Sequence, residues 1–271
     1  MPSPSKTPIP TSSARRLDEV VAEVSGVTRS RARALILAGR VRVDGRPATK
    51  AGSNVAARAT VAVERPRTYV SRGGEKLEGA LRAFALDVAG ARALDVGAST
   101  GGFTDCLLRH GAAHVTALDV GYGQLALALR DDPRVTTIER TNFRLVAADS
   151  LGAPFDVVTI DASFISVITI VDRARAFLAP GGAIVALVKP QFEAGRERLG
   201  GGGVVRDPAV REAILHEVRA GLLGLGVVPV ALGTSPLRGP AGNVEYFALV
   251  RAAGEPFGDA AIAAALAGEP A

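Results

Sequence analysis

Apolar residues recur along this chain in two rhythms, and the change between them falls near residue 70. In the first stretch, Leu17, Val20, Val21 and Val24 sit at helical spacing, which predicts a helix in RRLDEVVAEV that Ser25-Gly26 ends. Ala32, Leu35 and Ile36 share one face of a second helix, RSRARALILAG, with Gly39 as its stop. VRVDGRPAT then reads as two short strands around Asp44-Gly45, a hairpin signal. From residue 74 the pattern alternates short apolar runs with helical stretches. The expected elements are helix 74–86, strand 92–96, helix 102–110, strand 114–119, helix 123–130, strand 135–140, strand 156–160, helix 166–178, strand 183–188, helix 207–225, strand 227–234 and strand 243–251. Alternating strands and helices predict an α/β fold, a mostly parallel sheet of seven strands with helices on both faces. The last two strands follow each other closely and predict an antiparallel hairpin at one edge.

The domain division follows from composition. Residues 1–13 are rich in Pro, Ser and Thr and are expected to form a disordered tail. Residues 14–64 form a small α+β module, 65–72 a linker, 73–252 the large domain and 253–271 a tail with room for one short helix. Charge separates the parts more sharply than the net value of +5. Residues 1–67 hold 13 Lys+Arg against 5 Asp+Glu, while the remainder holds 19 against 22. All the positive excess lies in the first quarter, which points to a polyanion-binding module on a near-neutral body. One cysteine and three scattered histidines argue against a disulfide and against a metal site. No apolar run reaches the ~18 residues of a membrane span, and the first residues lack the apolar core of a secretory signal. A cytoplasmic protein without membrane partners, and a monomer, is the expectation.

The most telling run is Leu94–Phe103, where an apolar strand enters a turn with three glycines and then an apolar helix. Such a turn lets backbone approach a ligand closely, at the strand ends where open α/β sheets bind ligands. The pattern is D-x-G-x-x-x-G-G over Asp95, Gly97, Gly101 and Gly102, with Ser99 in between, and it lacks the glycine that admits a pyrophosphate. The second strand ends in Asp119, about twenty residues on, where an acid meets ribose hydroxyls. A nucleoside cofactor without phosphates fits best, and S-adenosylmethionine (SAM) is one. The loop resembles SAM motif I, with Asp95, Gly97, Ser99, Gly101, Gly102, Phe103, Asp119 and Asp161 as cofactor contacts. Asn142, after the third strand, is placed either to meet the adenine edge or to make a turn.

Four further residues carry chemistry. Lys76 lies in SRGGEKLEGAL, Asp161 ends the strand VVTID, Lys189 ends AIVALVK and Glu245 lies in NVEYFAL. A lysine directly after an apolar run is costly to bury unless paired or neutral. In order and strand position the four match the K-D-K-E tetrad of the FtsJ-like ribose 2′-O-methyltransferases. The N-terminal helix–helix–hairpin order resembles the S-four RNA-binding domain, carried by Ser30-Arg31, Ala34, Ile36, Gly39, Val41, Val43 and Gly45. Arg15, Arg16, Arg29, Arg31, Arg33, Arg40, Arg42 and Lys50 are its candidate RNA contacts. With DVGYGQLA, DASFIS, VKPQFE, GGVVRDP and GNVEYF, residues 15–251 resemble the TlyA (haemolysin A-like) family, whose large domain has the Rossmann-like class I methyltransferase fold.

That resemblance implies SAM-dependent methylation of cytidine 2′-hydroxyls in ribosomal RNA, with ribosomal subunits as partners. The longer members act on both subunits, and the long ends here resemble that kind. A ribose hydroxyl needs a base. A lysine, whose ordinary pKa is about 10.4, becomes one when desolvation and a second cation lower that value. The expected roles are Lys189 as base, Lys76 as its tuner or oxyanion stabiliser, Asp161 as its orienter and Glu245 as the charge balance. Cys106, on an apolar helix face, is expected to be buried and inert. Glu193–Asp207, with four consecutive glycines, could close over RNA or be a plain loop. The rival classes are a non-catalytic RNA-binding or assembly factor, which needs no tetrad, and a membrane-active haemolysin, which needs a span or amphipathic hairpins.

Overall fold

A computed structural model describes residues 7–8, 14–63 and 68–270, divided into two compact units, Met1–Pro66 and Arg67–Ala271. Most of the expected tail 1–13 and residues 65–67 of the expected linker lie outside the described residues.

In the first unit, β1 (Thr7–Pro8), β3 (Val41–Val43), β4 (Arg46–Pro47) and β6 (Thr60–Val63) form a sheet of order β1-β6-β3-β4. A second pair joins β2 (Arg15–Arg16) to β5 (Asn54–Val55). Helix α1 (Leu17–Ser25) ends on Gly26 at φ 63°, and α2 (Arg29–Leu37) starts at Thr28, whose hydroxyl accepts from the Arg31 N–H. The predicted hairpin turn has Asp44 and Gly45 both at positive φ, as a two-residue turn of this hand requires. Leu17, Val21, Ala32, Ile36 and Val41 are fully buried between helices and sheet.

The second unit contains α3 (Arg72–Ala83), β7 (Arg92–Val96), α4 (Gly102–Arg109), β8 (His114–Leu118), α5 (Leu127–Arg130), β9 (Val135–Ile138), β10 (Phe155–Ile160), α6 (Val167–Ala174), β11 (Leu178–Val188), α7 (Pro190–Glu193), α8 (Pro208–Gly224), β12 (Val228–Thr234), β13 (Tyr246–Arg251) and α9 (Asp259–Ala267). The sheet order is β12-β13-β11-β10-β7-β8-β9, and β13 alone runs antiparallel to its neighbours. This is a Rossmann-like class I methyltransferase sheet. The central strands read as unbroken apolar runs because both faces are covered. In β11, Ile184, Ala186 and Val188 enter one core while Ala183, Val185 and Leu187 enter the other.

Several expectations shift: the helix expected over 166–178 ends at Ala174, and the strand expected over 183–188 starts at Leu178. The helix expected over 123–130 is reduced to α5. Backbone N–H groups of Gly121 and Gly123 bond instead to the carboxylates of Asp119 and Glu139, and Gly123 takes φ 68°. The stretch 253–270 is part of the domain: Phe257, Ile262 and Ala265 are buried, and Arg211 pairs with Glu269 at 2.6 Å. The segment Glu193–Asp207 is tied down, since Glu193 accepts from Ser166 Oγ and the Val167 N–H at 2.7 Å each, capping α6, and Arg198 pairs with Glu217.

Candidate active site

Register explains why distant residues meet. Gly97, Asp119, Asp161 and Lys189 each follow the last residue of a parallel strand, so all four lie along one sheet edge. Strand β13 runs the other way and pairs Tyr246 with Val188, which sets Glu245 level with Lys189 at the same edge. Lys76, on the buried face of α3, reaches that edge from above the sheet.

Two lysine–carboxylate pairs result. Lys76 Nζ lies 2.5 Å from Glu245 Oε2, both side chains at least nine-tenths buried. Lys189 Nζ lies 2.6 Å from Asp161 Oδ1 and donates to Ser163 Oγ at 3.0 Å. The structure therefore brings all four predicted residues together and adds Ser163. The buried Lys76–Glu245 pair is retained at a desolvation cost, so losing one partner leaves an expensive uncompensated charge.

The glycine turn borders a cavity of about 270 Å³ lined by Ser71, Gly73, Lys76, Gly97–Thr100, Gly102, Phe103 and Asp161. Arg72, Arg238 and Pro240 complete the wall. The cradle is closed to side chains. A Cβ on Gly97, at φ 84°, would stand 2.7 Å from the Asp161 carbonyl oxygen, and one on Gly102 would stand 2.2 Å from Ser71 Oγ. A smaller cavity shares Ala98 and Ser99 as wall and includes Asp119, Gln124 and Glu139. Asp119 accepts from the Ser99 N–H at 2.8 Å and the Gly121 N–H at 2.6 Å. These residues suit an uncharged nucleoside portion beside Asp119 and a methionine portion beside the glycines, so they fit SAM.

Other predicted contacts lie elsewhere. Asp95 is fully buried, accepting from Thr104 Oγ1 at 2.7 Å and Thr159 Oγ1 at 3.0 Å. Strand alternation turns it toward α4, so it braces the loop from beneath and does not line the cavity. Burial pushes its pKa up to about 7, against the lowering by both threonine hydroxyls. Gly101, at φ 93°, packs toward Leu125 and Leu129. Asn142 lies outside both cavity walls and accepts from the Arg144 N–H, so it makes the turn. The Cys106 thiol is buried and pushed up to about 12 by desolvation, which removes it as a nucleophile. Sequence reasoning missed Ser71, Arg72, Gly73, Arg238 and Pro240. The SRGG run before Lys76 was the visible signal for Ser71, Arg72 and Gly73.

In the basic module, several candidate RNA contacts are organised by one acid. Asp18, fully buried, accepts from Arg16 Nε at 3.1 Å, Arg29 Nε at 3.1 Å and Arg33 Nε at 2.9 Å. The three guanidiniums, led by Arg16, hold the Asp18 carboxyl well below the usual range against the upward push of its burial. Arg15 pairs with Glu23. Arg31 and Lys50 are exposed, and Arg40 is half-buried. Asp18 thus fixes three half-exposed arginines into one patch, with Arg29 Nη1 also paired to Glu19 at 3.0 Å. Asp18→Asn should destabilise this module by about 1–2 kcal/mol at pH 7, discounted for the exposure of the arginines. The folded pKa is depressed, so this stabilisation is complete above the unfolded value of about 3.9 and is lost as pH falls below it. Thermal denaturation of both forms between pH 7 and pH 3 should show the difference shrinking with acid. Replacing Arg31 and Arg40 by Glu should weaken RNA binding about 10–100-fold and flatten its salt dependence by roughly two phosphate contacts, read by filter binding against salt.

A glycine-cradled cavity at the parallel strand ends, an antiparallel penultimate strand and two lysine–carboxylate pairs define a SAM-dependent methyltransferase joined to an RNA-binding module. The FtsJ-like methyltransferase family matches residues 69–252, and the S4 domain matches residues 15–61. The chain is 50% identical over 230 residues to the 16S/23S rRNA (cytidine-2′-O)-methyltransferase TlyA of Mycobacterium tuberculosis, covering 83% of this chain and 86% of that one. It is 42% identical to hemolysin A of Brachyspira hyodysenteriae over 86% of this chain and 98% of that one. A solved structure from Streptococcus thermophilus that carries a hemolysin name superposes with TM-score 0.73 at 38% identity, covering 95% of this chain and 96% of that one. The chain belongs to the FtsJ-like methyltransferases, in the TlyA family. Among the described residues no helix is long and apolar enough to cross a membrane, and the haemolysin name is a legacy one.

Proposed function

We propose that this enzyme methylates the ribose 2′-hydroxyl of cytidines in ribosomal RNA of both subunits. The observation that carries the reading is the placement of two lysine–carboxylate pairs, one buried and one half-buried, on the rim of a cradle only glycine can form. The substrate follows the 50% identity to the 16S/23S enzyme, against 35% over 181 residues to the 23S enzyme of Campylobacter jejuni. The reading places the enzyme where ribosomes are made, in the cytoplasm, and needs no metal.

SAM supplies an electrophilic sulfonium methyl when bound. Gly97, Ser99, Gly102, Phe103 and Asp161 would hold its methionine portion, and Asp119 with Gln124 its nucleoside portion. Lys189 is the base that takes the proton from the 2′-hydroxyl. Asp161 and Ser163 hold its Nζ in place for that transfer. Lys76, steadied by Glu245, offers positive charge to the oxygen as it loses its proton. The basic module supplies affinity for the RNA backbone. SAM should raise the melting temperature with the logarithm of ligand concentration over Kd. An assembly factor of the same fold without the reaction would show no methyl transfer to ribosomal subunits under saturating SAM.

A further inference from the structure

Two guanidinium groups at the larger cavity play no part in the mechanism above. Arg72 opens α3, and Arg238 sits between β12 and β13. Among the described residues neither meets a carboxylate. Arg72 Nη2 donates to the Arg238 carbonyl at 2.6 Å, and Arg238 donates to the carbonyls of Gly242 at 3.2 Å and Pro270 at 2.7 Å. Arg72 Nε is buried and, among the described residues, has no hydrogen-bond partner. Leaving a charged donor buried without an acceptor is costly, so it marks a place for one. The other charges around the cavity are balanced, Lys76 by Glu245 and Asp161 by Lys189. The wall therefore carries two uncompensated positive charges. The N-termini of α3 and α4 meet there too. Both lack a side-chain cap, and a Cβ on Gly73 would lie 3.6 Å from Gly102 Cα. The positive ends of the two helix dipoles add to the attraction for an anion.

We infer that Arg72 and Arg238 bind a phosphodiester oxygen of the RNA strand beside the methylated ribose. The inference rests on the ribose-methyltransferase reading. An oxyanion at this place could come from the RNA backbone or from the methionine carboxylate of SAM. Charge balance selects the backbone. The methionine end of SAM brings an ammonium and the sulfonium along with its one carboxylate, so it is a net cation and leaves the two guanidiniums uncompensated. A phosphodiester is a net anion, and the planar guanidinium fork matches its oxygens. Placement agrees. Arg238 precedes Gly239, where a Cβ would stand 2.6 Å from Glu245 Oε1, so its loop adjoins the Lys76–Glu245 pair that faces the acceptor hydroxyl.

The test titrates cytidine, cytidine 3′-monophosphate and cytidine 5′-monophosphate into full-length enzyme saturated with S-adenosylhomocysteine. Wild type should prefer one monophosphate over the nucleoside by about tenfold or more, the worth of a charge-assisted contact. Arg72→Gln and Arg238→Gln should each cut that preference to within about threefold and leave the SAM Kd within about twofold. Arg72→Lys and Arg238→Lys keep the charge, should retain part of the preference and guard against a folding artefact. Equal binding of nucleoside and both nucleotides by wild type overturns the inference. So does a loss of SAM affinity in the Gln variants with the phosphate preference intact, which would assign the guanidiniums to the carboxylate. Methyl transfer by wild type reports on the ribose-methyltransferase reading separately. An enzyme that prefers the nucleotide yet leaves ribose unmethylated keeps this site and loses that reaction.

Discussion

Lys189→Ala should lose methyl transfer by about 10²–10⁴-fold, the range a positioned general base contributes, while SAM still binds. Lys189 follows β11 directly and is not part of the cavity wall around the glycine turn, so its removal leaves the cradle intact. Lys189→Arg separates charge from proton transfer. Arginine can keep an ion pair with Asp161 but stays protonated at any working pH. Both variants should therefore be inactive with SAM affinity within a few-fold of wild type, measured by single-turnover transfer and calorimetry. An arginine variant that retains a tenth or more of the rate would remove Lys189 from the base role and leave the pair as an electrostatic device.

Gly97→Ala should abolish tight cofactor binding through one methyl group. The residue sits at φ 84°, where a side chain costs about 1–2 kcal/mol, and its Cβ would stand 2.7 Å from the Asp161 carbonyl. That carbonyl belongs to the backbone of β10's end, so it cannot swing aside as a flexible side chain would. The loop must shift instead, carrying Ser99 away from Asp119, to which its N–H donates. SAM affinity should fall about 100-fold, equivalent to ~2.7 kcal/mol, with a lower melting temperature in the absence of ligand. A variant that binds SAM normally would show that the cradle is not the cofactor's seat.

The comparison of expectation with structure has a physical pattern. Lys76, Asp161, Lys189 and Glu245 were legible because a charge directly after or within an apolar strand has few explanations. The sheet's order and its antiparallel β13 were legible because strands buried on both faces read as continuous apolar runs. Asp95 misled because motif position does not tell which face of a strand a side chain takes. In β7 the alternation that sends Leu94 and Val96 to one core sends Asp95 beneath α4. The short α5 was misjudged because Asp119 and Glu139, from two different strand ends, capture the N–H groups of Gly121 and Gly123. No local pattern announces such a long-range capture. The same holds for Arg238, which reaches the cavity only because the loop after β12 folds back over Glu245, and for α9, whose alanine-rich face gives a weak signal until Ile262 and Phe257 are seen in the core. Of the basic module's candidate RNA contacts, Arg16, Arg29 and Arg33 gather in one place. That one buried acid, Asp18, arranges three of them follows only from the packing of α1 against α2.

The central claim is methyl transfer to a ribose hydroxyl of ribosomal RNA. It is tested most directly by incubating the purified enzyme and tritiated SAM with isolated small and large ribosomal subunits, then mapping the label by nuclease digestion and mass spectrometry. The account predicts label on the 2′-oxygen of a cytidine in each subunit's RNA, absent with Lys189→Ala. Label on a base, or unlabelled RNA from an enzyme that binds SAM, would contradict it.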